Sequence, residues 1–185
     1  IVAGKDTLFN ADGNPQLTAT NRVLGQSIPF SGNYGISKNP ESLASDRYRL
    51  YFTDKQRGAV LRLSKDGLTP ISSVGMKNYF RKTLRNATSA VGSFDAVNEE
   101  YNLTIKTSNN SQTISFNESS KGWISFKSFI PTQGVSLSGK YLTTFENKVY
   151  EHYSDTADRN TFYNQYSNSS INVIFTICIL NTIVI

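Results

Sequence analysis

The sequence predicts a mainly β fold of antiparallel hairpins stacked as partial, propeller-like blades, with an irregular β-sandwich as the alternative and one short helix near residues 74–85. Three observations predict it. Strand-length runs with alternating apolar residues are repeatedly joined by tight polar turns. Three such units recur at roughly the 40–50-residue spacing of four-stranded blades. A single stretch carries the 3.6-residue apolar period of a helix.

In chain order, residues 1–45 are rich in Gly, Asn, Ser and Pro and read as an extended, loop-rich segment, with turns at Asp12-Gly13 and Asn39-Pro40. A β-rich body is expected over 46–175. It opens where Tyr48, Leu50 and Phe52 alternate with Arg47, Arg49 and Tyr51; DKQRG then turns the chain into Ala59–Leu63. Asp66-Gly67 makes a second tight turn. The helix is expected from Val74 or Gly75 to Arg85, capped by Ser72 or Ser73, with Met76, Tyr79, Phe80, Thr83 and Leu84 as its apolar stripe. Strands follow at Ala90–Phe94, Tyr101–Lys106, Thr113–Phe116 and Trp123–Phe129, where Pro131 stops the ladder. Tyr141–Phe145 and Val149–Tyr153 flank a turn at Glu146-Asn147-Lys148. Residues 176–185 are an Ile-rich tail, read as a truncation scar or a lone strand, or as part of a buried strand pair bent at Asn181-Thr182. The run is too short and too interrupted by Asn and Thr for a membrane span.

The repeat is visible when LYFTDKQRGAVLRLS, GSFDAVNEEYNLTIK and YLTTFENKVYEHYSD are aligned. Phe52, Phe94 and Phe145 then correspond, and Asp54, Asp95 and Glu146 fall at turn edges, where a carboxylate accepts backbone N–H groups. That structural role is preferred over a glycosidase pair, because the adjacent Glu99-Glu100 point to opposite faces of a strand.

Composition narrows the function classes. Aromatic side chains make up 12% of the 185 residues, enough to argue for a folded chain. The net charge of +5 would favour nucleic acid only if the cations clustered. The densest group, Lys77, Arg81, Lys82 and Arg85, has no interleaved stacking aromatics, so it reads as a solvated helix face and no nucleic-acid partner is expected. His152 is the one histidine, Cys178 the one cysteine, and no ligand spacing or GxSxG elbow surrounds them. No catalytic residue, cofactor or metal is therefore expected, and no disulfide framework. The sequons at Asn86, Asn102, Asn109, Asn117 and Asn168 are what chance gives a chain rich in Asn, Ser and Thr. Ile1 as first residue and Met76 as sole methionine read as a processed product or a piece of something longer, with no signal-peptide pattern at its start. Trp123, Tyr141 and Tyr153 are the candidate contacts to a sugar ring or a protein partner; period-2 alternation puts Trp123 opposite Ile124 and Phe126.

The runs RYRLYFTDKQRGAVLRLSKDGLTP, GMKNYFRKTLRN, GSFDAVNEEYNLTI and KGWISFKSFIPTQGVSLSGKYLTTFENKVYEHY resemble virion structural proteins of tailed bacteriophages, including crAss-like and marine phages. The resemblance spans about residues 30–175. TICILNTIVI stands where that family would continue into more β-structure. The resemblance implies a virion component associated with the tail, similar to nozzle or muzzle proteins with propeller-like domains. It implies assembly through contacts with other virion or tail proteins, a homo-oligomer, and no catalytic residues. A carbohydrate-binding or depolymerising tail module that meets a host surface glycan is the alternative.

Overall fold

The computed structural model describes residues 7–9, 15–17, 30 and 32–171. Its sheets form one after another along the chain. β1 (Thr7–Phe9) and β2 (Pro15–Leu17) pair antiparallel. The first large sheet is a meander of β3 (Ala44–Ser45), β4 (Leu50–Asp54), β5 (Ala59–Ser64) and β6 (Gly67–Pro70), each strand paired with the next. Helix α1 (Lys77–Arg85) leads into a second meander of β7 (Ala87–Asp95), β8 (Glu100–Thr107), β9 (Ser111–Asn117) and β10 (Gly122–Lys127). The third sheet has β11 (Gln133–Leu137), β12 (Lys140–Phe145) and β13 (Lys148–Glu151). β14 (Thr161–Phe162) and β15 (Gln165–Tyr166) form a small hairpin. The fold is thus mainly β and antiparallel, with α1 the one α-helix among the described residues. The Ile-rich tail expected over 176–185, with Cys178, lies outside the described residues.

Local chemistry accounts for the tight meanders. Ser138 and Gly139, and likewise Glu146 and Asn147, all take positive φ, the pair of left-handed residues that lets a two-residue loop follow the strand twist. α1 begins later than the sequence predicts and without a serine cap. Residues Ile71–Ser73 make a 3-10 turn instead, and the Ser73 hydroxyl donates to the Pro70 carbonyl at 2.6 Å. Met76 stands at the cap position with no side-chain hydrogen bond. Phe80 and Leu84 are buried, whereas Lys77, Arg81, Lys82 and Arg85 face solvent.

The sheets stack face to face in chain order. Between the first and second sheets lies the apolar core: Tyr51 and Val60 from one side, Tyr101, Leu103, Ile105, Ile114 and Phe116 from the other, with Phe80 and Leu84 of α1 filling the gap. The Tyr51 ring stacks on Tyr101 with centroids 4.9 Å apart. In β4 Tyr51, Thr53 and the terminal Asp54 are buried, while Leu50 is exposed and Phe52 half-buried. Between the second and third sheets the seam is polar. Ser93, Asn102, Thr104, Thr113 and Ser115 are buried there, and they are satisfied mainly by one another. Tyr141 and Phe129 complete the seam, Ser93 bonding the Tyr141 hydroxyl at 2.7 Å and Thr113 donating to the Phe129 carbonyl.

Register corrects two sequence-based expectations. A bulge between Trp123 and Ser125 shifts the pairing so that Trp123 opposes Phe116 and Phe126 opposes Ile114. Trp123 and Phe126 consequently share the face toward α1, because one extra residue reverses the period-2 alternation. The hairpin alignment is offset as well: Asp54 ends and Glu146 follows a second strand, but Asp95 ends a first strand. Hairpins within a meander look alike whichever pair they are. Pairing identifies the true equivalence, since Gly92 opposes Leu103 and Gly134 opposes Thr143, each two residues beyond a buried tyrosine, Tyr101 or Tyr141.

Candidate assembly surface

The first strand of the second sheet closely approaches the 3-10 turn Pro40–Ser42 that leads into β3, and the first strand of the third sheet closely approaches that of the second, which is what aligns the stack. A Cβ on Gly92 would collide with the Ser42 carbonyl, and one on Gly134 would lie 2.8 Å from the Ser93 Cβ. Tyrosines lock the same two junctions. The Tyr101 hydroxyl donates to the Ser42 carbonyl at 2.8 Å, and the Tyr141 hydroxyl meets Ser93 Oγ at 2.7 Å. At the second junction Ser136 Oγ also donates to the Phe94 carbonyl at 2.8 Å. Each new sheet is thereby pinned to the one before it by a glycine that permits contact and a phenol that closes it.

These strands border a cavity of about 1020 Å³, lined in part by Asp46, Arg49, Phe94, Glu118 and Gly134. Asp46, Arg49 and Glu118 are held in pairs. Glu118 accepts from the Tyr51 hydroxyl at 2.8 Å and from Arg62 Nη1 at 2.9 Å, while Arg49 Nη1 lies 2.8 Å from Asp46. Burial alone would push the Asp46 carboxyl up, but donors from Tyr48 and Arg49 outweigh it and hold the group below its ordinary range. Burial and the bond to Glu118 push the Tyr51 phenol up. Glu118 sits in the turn after β9, far in sequence from Tyr51 and Arg62, and no local pattern marks it as their partner.

Of the acids singled out in the sequence, Asp54 accepts from Gly35 N and Arg57 N, both at 3.1 Å, and pairs with the Arg57 guanidinium. Asp95 accepts from Val97 N at 2.9 Å, Asn98 N at 3.3 Å and the Tyr153 hydroxyl at 2.6 Å. Glu146 differs: it occupies the first left-handed position of its turn, with φ of 47°. Burial and the bond to Asp95 push the Tyr153 phenol up. Trp123 packs on Phe80 and Phe116 and donates from Nε1 to the Ile71 carbonyl at 3.1 Å. Tyr141 is fully buried and offers no ring face to a sugar.

His152 is buried among Phe129, Tyr141 and Phe162, with Nε2 2.7 Å from Thr143 Oγ1. Burial lowers its pKa to about 4, against a smaller opposing effect of Asp95. The hydroxyl beside it is itself sealed inside the seam, and Asp95 directs its oxygens to Tyr153 and its own turn. This geometry holds a neutral imidazole as a packing and hydrogen-bonding group. Among the described residues no three His, Cys, Asp or Glu side chains gather to hold a metal ion, and no helix is long and apolar enough to cross a membrane.

Several apolar side chains are open to solvent beside charged ones. Val135, Leu137 and Val149 project from the outer face of the third sheet, away from Tyr141 and the seam. Paired residues share a face, so Val135 lies beside Leu142, and Val149 beside Thr144.

The model of one protein family, described as Crassvirus muzzle protein, matches residues 8–148. No curated protein matches the chain.

Proposed function

This chain belongs to the Crassvirus muzzle protein family, which places it among virion structural proteins and in the virion, and from that premise we propose that it is a tail-associated assembly element working through protein–protein contacts, without a reaction centre. The observation that carries the proposal is the serial stack itself. The first strand of the second meander meets the 3-10 turn ahead of β3 at Gly92 and Ser42, and the first strand of the third meets that of the second at Gly134 and Ser93. Radially repeated antiparallel meanders are the blades of a propeller, each held against the next. Buried charges that pair internally and a sealed His152 suit a rigid building part.

Gold-labelled antibody raised against the chain and applied to intact particles tests the reading. Label at the tail tip is expected. Label confined to the capsid removes the tail association, and label on no particle removes the assembly role.

A further inference from the structure

We propose that the β14–β15 hairpin is an acid-sensitive strap: docked on the third sheet it seals His152, and it lifts away when that imidazole takes up a proton. The inference goes beyond the assembly reading and stands on the hairpin's own contacts.

Two side chains hold the strap. The Phe162 ring centroid lies 5.5 Å from Phe129 and 6.1 Å from His152, while Tyr163 stacks on Phe145 at 4.6 Å and meets Tyr150 edge-on at 4.8 Å. A hydrogen-bonded bridge ties the strap to the histidine: Thr143 Oγ1 is 2.9 Å from the Tyr163 hydroxyl and 2.7 Å from His152 Nε2. Tyr163 reaches that bridge from a left-handed backbone position, with φ of 53°, beside Asn164 at 64°. A bulky residue is rare there, so its ring contacts offset a conformational cost that is relieved once the strap lifts. Asn164, Gln165 and Tyr166 are exposed, and a hairpin with two paired positions per strand has no stability apart from its dock.

The other groups around His152 are fixed more firmly. Tyr141 and Thr143 belong to β12, which is paired on both sides, and the Phe129 carbonyl is tied to Thr113. Water therefore reaches the ring by lifting the strap. A proton on the ring finds no free counter-charge while the strap is closed. Asp95 of β7 favours the charged ring, but its oxygens are taken by Tyr153 at 2.6 Å and by its own turn. Lys127 of β10 opposes it, held beside Glu100 of β8 at 2.9 Å. Tyr141, Tyr150, Tyr153 and Tyr163 are phenols, uncharged in acid, and Asp155, Asp158 and Arg159 on the approach to the strap are exposed. Burial, the largest influence, holds the imidazole pKa at about 4, and access to water returns it towards 6.5. Proton uptake thus favours the open strap by about tenfold per pH unit between those values, up to about 300-fold in all.

Amide hydrogen exchange followed by nuclear magnetic resonance on the full chain, from about pH 6.5 down to about 4.5, tests this. The strap amides include Ser167 N, which donates to the Asn160 carbonyl at 2.8 Å. Their protection, corrected for intrinsic exchange, should stay below that of the β8 amides at each pH and fall about tenfold per pH unit. His152→Phe should abolish that fall. Tyr163→Phe keeps the imidazole but loses the bond to Thr143, so it should lower strap protection about fivefold and retain the fall. Strap protection that does not change with pH overturns the proposal, as does a fall that persists in His152→Phe. A strap no less protected than β8 also overturns it, since the hairpin would then open only when the whole molecule unfolds, and so does unchanged protection in Tyr163→Phe. Should His152→Phe not fold, the unmodified chain and Tyr163→Phe still decide.

Discussion

Gly92→Ala should be the most damaging small substitution in the molecule. The added methyl would run into the Ser42 carbonyl, whose carbon lies 2.7 Å from the ideal Cβ position. The carbonyl oxygen lies closer still, so reaching ordinary van der Waals separation requires that backbone to retreat by more than about 1 Å, in an interior packed too densely to absorb the shift freely. Two bonds depend on Ser42 staying in place: Tyr101 Oη to its carbonyl at 2.8 Å, and Thr53 N to its Oγ at 3.0 Å. Overpacking costs about 1–3 kcal/mol, and a buried hydrogen bond left unmade adds about 1 kcal/mol or more. The expected loss is about 3 kcal/mol, or a Tm lower by roughly 6–12 °C for a chain of this size. Urea titration followed by circular dichroism measures it. Gly122→Ala is the control, since its nearest neighbour would be an ordinary 3.6 Å away. Equal stability of the two variants would refute the close approach of the first and second sheets.

Three further outcomes follow from the seam and the charge cluster. Tyr141→Phe removes the phenol that bonds Ser93 and Asn102 and should cost about 1–3 kcal/mol in urea titration while leaving the circular dichroism spectrum unchanged. Glu118→Ala strands Arg62 and the Tyr51 hydroxyl and should cost about 1–3 kcal/mol, less than a fully buried pair because both charged side chains keep some water contact. His152 has its folded pKa lowered to about 4 from an ordinary 6.5, so above 6.5 it is neutral in both states, and below that only the unfolded chain takes up the proton. Its contribution is therefore lost as pH falls from 6.5 towards 4, by about 3 kcal/mol in all; the difference in stability between the unmodified chain and His152→Phe, measured across that range, should change by this amount, and a constant difference would refute the assignment.

Much of the architecture was legible in the sequence because hairpins announce themselves. Glu146-Asn147 lies between two alternating runs and can only be a tight turn. The stripe of Phe80 and Leu84 gives the helix, although the start at Lys77 was hidden by a 3-10 turn that borrows the serines meant to cap it. The boundaries between sheets were not legible. β7 and β8 make a hairpin like β4 and β5, and only the pairing of β3 with β4 shows that one pair begins its sheet and the other does not. Side-chain facing failed where one residue breaks the alternation, as at Trp123, and where a polar tip on a large ring finds a distant acceptor, as when Tyr51 takes the core position. Glycines inside β7 and β11 did carry a signal for close backbone approach, yet not the identity of what approaches.

Inter-sheet nuclear Overhauser contacts on the isotopically labelled chain test the serial stack most directly. The account predicts cross-peaks from Gly92 Hα to Ser42 and Leu43, from Gly134 Hα to the Ser93 methylene, and between the Tyr51 and Tyr101 rings. A spectrum with every within-sheet contact present and those three absent would contradict it.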